Sequence, residues 1–148
     1  MDMLPDVTVT APDGTVLRLR ERPLPMVVYF YPKDDTTGCT REAQDFSALA
    51  AEFTTAGISV LGISRDTPSK HQKFIAKYDL AVALASDEDG SACEAFGTWV
   101  EKSMYGRTYM GIERSTFLFD RDGRLAREWR KVKVAGHAAA VLEAARAL

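Results

Sequence analysis

Only two side chains in this sequence carry a thiol nucleophile, Cys39 and Cys93. Two cysteines are too few for a disulfide scaffold, so in a reducing compartment each is either core filling or chemistry. Cys39 follows Tyr31–Gly38, a loop holding a proline, two aspartates and two threonines, and from Thr40 the apolar pattern turns helical. The thiol is thus predicted at a helix start, where free backbone N–H groups and the helix dipole favour an anion. A cysteine of ordinary pKa, near 8.5, is only about 3% thiolate at neutral pH. Lowering that value by about two units takes roughly 2.7 kcal/mol. A helix terminus supplies about 0.3–1 kcal/mol, at most about 2. A reactive thiol here therefore needs a cation or further hydrogen bonds beside it.

The elements that must hold this helix start are legible in the chain. Val7–Val9 and Thr15–Leu19 flank Pro12-Asp13-Gly14 and read as an N-terminal β-hairpin. Met26–Phe30 is a continuous β-favouring apolar run, a buried strand. Ala43, Phe46, Leu49, Ala50 and Phe53 share one face of a single predicted helix that Gly57 ends. Ile58–Ile63 is the next strand, and Thr67-Pro68 starts a helix presenting Phe74, Ile75 and Tyr78 to the core. Val82–Leu84 is a short strand, and Ser86–Gly90 opens a helix containing Cys93 and Phe96. Ser115–Phe119 and Leu125–Trp129 flank Asp120–Gly123 as a hairpin, and the alanine-rich His137–Ala147 closes the chain as a helix. The fold class is α/β: a mixed central sheet with helices on both faces, plus the N-terminal hairpin. No repeat or linker interrupts the 148 residues, which predicts a single domain spanning 1–148.

Composition excludes several classes of function. The net charge of −2 argues against a nucleic-acid or polybasic membrane binder. Met26–Tyr31, the longest strongly apolar run, is too short to span a bilayer. Asp2 and Asp6 stand where a signal peptide would be basic and apolar, so a cytoplasmic location is expected. Neither a Gly-x-Gly-x-x-Gly fingerprint nor a phosphate-binding loop is present, so no nucleotide cofactor is expected. Cys39, His71, Cys93 and His137 are spaced by 32, 22 and 44 residues with no short ligand pair, so no metal is expected. His71 reads as an exposed helix residue and His137 as a helix-start or capping group. Glu42 is either a surface residue or a partner of Arg41 or Arg114. Trp99 and Tyr105 are either ordinary packing or a substrate-side wall.

The segment Pro32-Lys33-Asp34-Asp35-Thr36-Thr37-Gly38-Cys39-Thr40-Arg41-Glu42-Ala43 resembles the active-site signature of peroxiredoxins. Pro32, Thr36 and Cys39 match its spacing in full, and the flanking residues resemble the bacterioferritin comigratory, or Q, type. Gly62–Asp66, His71–Phe74, Leu84–Asp87, Tyr105–Tyr109 and Gly111–Phe117 resemble later blocks of the same family in the same order.

The resemblance implies a thioredoxin-like fold and a thiol-dependent peroxidase acting on hydrogen peroxide and organic hydroperoxides. It makes Cys39 the peroxidatic cysteine, oxidised to sulfenic acid. It singles out Arg114, one of 12 arginines, as the missing cation in the cysteine pocket. Thr36 would supply a hydroxyl accepting from the peroxide and donating to the sulfur, and Pro32 would wall the pocket against water. Many members carry a second cysteine five residues after the first, where this chain has Gln44. Others place a resolving cysteine on the helix after the Ser-Asp-x-Asp-Gly segment, and Cys93 holds that position. The implied cycle is an intramolecular Cys39–Cys93 disulfide, formed by local unwinding of both helices and reduced by thioredoxin or glutaredoxin. If Cys93 is only a buried thiol, the alternative is a one-cysteine peroxidase resolved by an external thiol; the non-enzymatic alternative is a redox sensor or interaction protein that uses Cys39 oxidation as a signal. The resemblance implies a monomer or weak homodimer.

Overall fold

The computed structural model describes residues 1–148. Its first half runs β1 (Thr8–Thr10), β2 (Val16–Arg18), β3 (Met26–Phe30), α1 (Thr37–Ala48), α2 (Ala50–Thr55), β4 (Ser59–Ser64) and α3 (Pro68–Tyr78). There follow β5 (Ala83–Ser86), α4 (Ser91–Ala95), β6 (Trp99–Met104), β7 (Arg107–Ile112), β8 (Ser115–Phe119), β9 (Leu125–Trp129) and α5 (His137–Arg146). Seven strands form one sheet in the order β2-β1-β5-β4-β3-β8-β9. β3, β4 and β5 are parallel, and antiparallel pairs flank them on both sides. No helix is long and apolar enough to cross a membrane.

Every residue of β3 is buried, as its unbroken apolar run requires of a strand covered on both faces. Alternation along β3 divides the core in two. Val27, Tyr29 and Tyr31 point into a cluster with Phe46, Phe53, Phe74 and Val141, from α1, α2, α3 and α5. Met26, Val28 and Phe30 point the other way, among Leu4, Val9, Phe96, Phe117 and Phe119. Helices thus cover both faces, four on one and α4 with the N-terminal segment on the other. Cys39 belongs to the first cluster and Cys93 to the second. One close approach is fixed by a missing side chain. Tyr29 pairs across the sheet with Gly62, where a Cβ would sit 2.5 Å from the phenol ring carbon Cζ.

Three expectations differ from the structure. The single helix from Thr40 is two, α1 beginning at Thr37 and α2 following a break at Leu49, whose amide is shared among three carbonyls. The order assigned no strands between Cys93 and Ser115, yet β6 and β7 pair there as a separate hairpin. Its turn, Tyr105-Gly106, has positive φ at both residues, a geometry that Asn-Gly advertises and a tyrosine conceals. Finally His71, expected on the surface, is fully buried. It shares the α3 face of Phe74 and Tyr78 at positions i, i+3 and i+7, so the helical period itself carried the signal.

Candidate active site

Thr36 is the N-cap of α1, and the first intrahelical bond runs from Thr40 N–H to the Thr36 carbonyl at 2.8 Å. The amides of Thr37, Gly38 and Cys39 therefore lie in the helix's unpaired first turn. Cys39 is only 2% exposed there, facing the core cluster of Tyr29, Tyr31 and Phe46. The cation comes from 75 residues away. β3 pairs with β8 so that Phe30 lies opposite Ser115, which sets Arg114 at the end of β3 where the loop to Cys39 begins. Arg114 Nη2 donates to Cys39 Sγ at 3.3 Å, and Nη1 donates to Glu42 Oε1 at 2.7 Å. A Cβ on Gly38 would sit 3.2 Å from Nη2, so that glycine lets the guanidinium lie over the first turn.

Glu42 is one turn beyond Cys39 on the same helix face and 1% exposed. Burial raises its carboxyl from 4.5 to about 7, with Arg114 opposing. Its second oxygen has no hydrogen-bond partner, and neither has the buried Tyr29 hydroxyl. Of the two alternatives, the partner of Arg114 is the one realised. Lys102 on β6 adds positive charge. Burial and the Arg114 guanidinium lower its pKa. A cleft of about 520 Å³ beside Arg114 is lined by Val100, Lys102, Glu113, Lys131 and Val132. Lys102 was not legible as a site residue because its hairpin was not.

Pro32 and Thr36 are on the same loop, both exposed. The Thr36 hydroxyl, expected to donate to the sulfur, instead donates its only proton to the Lys33 carbonyl at 2.9 Å, leaving its lone pairs to accept. The loop is tied down by Asp34, whose N–H donates to Asp66 Oδ2 at 2.9 Å. Asp34 Oδ1 accepts from the Tyr31 hydroxyl at 2.6 Å, and Oδ2 lies 2.6 Å from His71 Nδ1. His71 Nε2 lies 3.0 Å from the Ala85 carbonyl, so its ring joins α3 and β5 to the loop before Cys39.

His137, the first residue of α5, is buried with Nε2 2.7 Å from Thr116 Oγ1. Burial, with a smaller push from Arg114, lowers its pKa to about 4. Trp99 is half-buried under the Arg65 guanidinium, whose carbon is 4.6 Å from the ring centre. Tyr105, 97% exposed at the hairpin tip, neither packs nor lines the Cys39 pocket.

Cys93 is fully buried on α4. The Asp87 carboxylate caps that helix, accepting from Ala92 N–H at 3.0 Å and Cys93 N–H at 2.8 Å. Burial and the adjacent Asp87 charge hold the Cys93 thiol well above the ordinary range. Both cysteines are reduced, and the sheet stands between them. Cys39, Arg114 and Glu42 are brought together; Cys93 is not.

A thiol at a helix N-terminus under an arginine is a recurrent arrangement, and comparison with known proteins decides whose it is. The AhpC/TSA family model matches residues 1–128. Peroxiredoxin Bcp of Xanthomonas campestris is 54% identical over 122 residues, 82% of this chain and 76% of that one. This chain belongs to the peroxiredoxins. Peroxiredoxin Bcp of Bacillus subtilis is 44% identical over 140 residues, covering 94% of this peroxiredoxin and 89% of the relative. A solved structure of the Xanthomonas campestris bacterioferritin comigratory protein, described with alkyl peroxide reduction activity, superposes with a TM-score of 0.90. It is 48% identical, with 97% of this chain and 95% of that one covered. The fold is the thioredoxin-like peroxiredoxin fold expected above.

Proposed function

We propose that this peroxiredoxin reduces hydrogen peroxide and organic hydroperoxides through Cys39. The observation that carries the proposal is Arg114 Nη2 at 3.3 Å from Cys39 Sγ, over the unpaired first turn of α1. The Cys39 thiolate attacks the terminal peroxide oxygen and the O–O bond breaks. The sulfur becomes a sulfenic acid, and the departing oxygen leaves as water or an alcohol after taking a proton. Arg114 and the first-turn amides stabilise the thiolate and the charge developing on the displaced oxygen. Glu42 holds the other edge of the guanidinium and fixes its aim. Thr36, its proton engaged by Lys33, accepts from the peroxide O–H, and Pro32 limits access of water from the loop side.

Cys93 then resolves the sulfenic acid. Its deprotonated sulfur attacks the Cys39 sulfur, the S–S bond forms, the S–O bond breaks, and the departing hydroxide takes up the proton that Cys93 gave up and leaves as water. A disulfide needs the two Cα atoms within about 7 Å, and the sheet between the thiols requires both helix turns to open first. A dithiol reductant, thioredoxin or glutaredoxin, restores the two thiols. The whole chain acts as one cytoplasmic domain, a monomer or weak homodimer. The full burial of Cys93 on the opposite face favours a second reading, a one-cysteine enzyme resolved by an external thiol.

Intact mass under non-reducing conditions, after one equivalent of hydrogen peroxide, separates the readings. Loss of two hydrogens, abolished by Cys93→Ser, supports the two-cysteine cycle. Gain of oxygen on Cys39 alone supports the one-cysteine enzyme. No rapid change with an intact fold overturns the peroxidase.

A further inference from the structure

The loop that leads to Cys39 is flanked on two sides. β3 lies between β8 and β4 in the sheet, and Arg114 arrives from the β8 side. On the β4 side, α3 and the turn after β4 bound a second groove, of about 240 Å³. Four lysines line it, Lys33 from the loop itself and Lys70, Lys73 and Lys77 from α3. The three on α3 stand at i, i+3 and i+7, one stripe of the helix surface. Phe74 lines the same groove and belongs to the apolar cluster that holds Cys39.

Most of this charge is free. Lys77 donates to Asp35 Oδ2 at 2.8 Å, whereas Lys33, Lys70 and Lys73 pair with no carboxylate. Asp34 and Asp66 also border the groove, but both are buried and turned inward. Asp34 is held by Tyr31 and His71, and Asp66 by Ser64 and the Asp34 N–H. A chain of net charge −2 thus keeps three unpaired cations around one groove beside its reactive loop.

An incoming thiolate attacks a sulfenic sulfur in line with the S–O bond that breaks. The oxygen is delivered to Cys39 under Arg114, so the thiolate has to arrive from another side. Cys39 is 2% exposed, and its helix turn has to unwind before an outside thiol can touch it. Once unwound, Cys39 stays four residues from Asp35, at most about 14 Å of extended chain. The groove that Asp35 borders is within that reach.

We propose that the lysine groove binds the anionic end of a small thiol, one bearing carboxylate or phosphate groups, that resolves oxidised Cys39. This rests on the one-cysteine reading, in which an external thiol does the resolving. The thiolate attacks the Cys39 sulfur, the S–S bond forms, the S–O bond breaks, and the departing hydroxide takes up the thiol's proton and leaves as water. A second molecule, also as thiolate, attacks the first one's sulfur and releases the Cys39 thiolate and a free disulfide. Its proton balances the one taken up by the oxygen that left the peroxide. The two electrons that reduce the peroxide thus come from two small thiols.

The test oxidises the full chain with one equivalent of hydrogen peroxide and then mixes it with excess mercaptopropionate, mercaptoethanol or cysteamine. These thiols are similar in size and are anionic, neutral and cationic. Chemical-quench mass analysis follows the mixed disulfide on Cys39. The quantity read is the rate constant for the anionic thiol divided by that for the neutral one, which cancels any general change in access to Cys39. In the double variant Lys70→Gln, Lys73→Gln this preference is expected to fall about fivefold, and cysteamine to gain on mercaptoethanol. Both changes are expected to shrink at about 1 M salt, where the Debye length is about 3 Å. The double variant Lys70→Arg, Lys73→Arg keeps the charges and is expected to keep the preference, which loss of a merely structural role would not restore. A preference unchanged in the glutamine variant overturns the groove and leaves the one-cysteine cycle standing. A wild type that closes a Cys93-dependent internal disulfide faster than it takes up any of the thiols overturns that cycle and the groove together.

Discussion

Glu42 and His137 are both buried, both feel the Arg114 charge, and their pKa values are displaced in opposite directions. Glu42→Gln keeps the side chain's shape and an acceptor for Arg114 Nη1 while removing the ionisable carboxyl. In the folded chain Glu42 is raised from 4.5 to about 7, mainly by burial. Between those values the native state holds a proton that the unfolded state has lost, so stability falls as pH rises. The loss is complete above about 7 and amounts to about 3 kcal/mol, at about 1.36 kcal/mol per tenfold change in proton affinity. His137 is lowered from 6.5 to about 4, so there the unfolded state binds the extra proton and stability rises with pH, also by about 3 kcal/mol. The two slopes nearly cancel in the wild type between about 4.5 and 6.5. Removing one group exposes the other.

Urea unfolding of wild type, Glu42→Gln and His137→Gln from pH 4 to 8 measures this directly. The wild-type minus Glu42→Gln difference should fall by about 3 kcal/mol between pH 4.5 and 7 and then level. The wild-type minus His137→Gln difference should rise by a similar amount between pH 4 and 6.5. A difference curve for Glu42→Gln that is flat, or that rises with pH, refutes the account of a carboxyl held uncharged by burial against the pull of Arg114.

Two further outcomes follow from the same geometry. Arg114→Ala removes the donor to Cys39 Sγ, and loss of one charge-assisted hydrogen bond of about 1.5–3 kcal/mol lowers the second-order rate with hydrogen peroxide by about 10- to 150-fold. Stopped-flow kinetics check it, and a near-normal rate in a folded variant removes Arg114 from the mechanism. His71→Leu takes from Asp34, 8% exposed, one of its two buried side-chain partners and leaves only the Tyr31 hydroxyl, at a cost of about 1.5–3 kcal/mol or roughly 3–12 °C in Tm. Calorimetry decides this, because an exposed helix residue would change stability by no more than about 0.5 kcal/mol.

Much of this protein was written locally in its sequence. The alternation of apolar runs with helical patterning fixed the α/β class, because period determines which face of an element is buried. Thr67-Pro68 marked the start of α3, where the Thr67 hydroxyl accepts from Lys70 N–H at 3.2 Å. The loop before Cys39 and the helical pattern after it located a thiol at a helix start, and the Pro32–Ala43 signature together with the later blocks in the same order carried the resemblance to the peroxiredoxins. What stayed hidden depended on residues far apart. Tyr105-Gly106 gave no usual turn signal, so β6–β7 and with it Lys102 were invisible. His71 looked polar and therefore exposed, until Asp34 and the Ala85 carbonyl supplied partners for both ring nitrogens. The choice of Arg114 over eleven other arginines needed either a family resemblance or the β3–β8 register. Only the folded sheet put the two thiols on opposite faces, because the side toward which a residue points is set by strand pairing and helix packing, which local sequence does not specify.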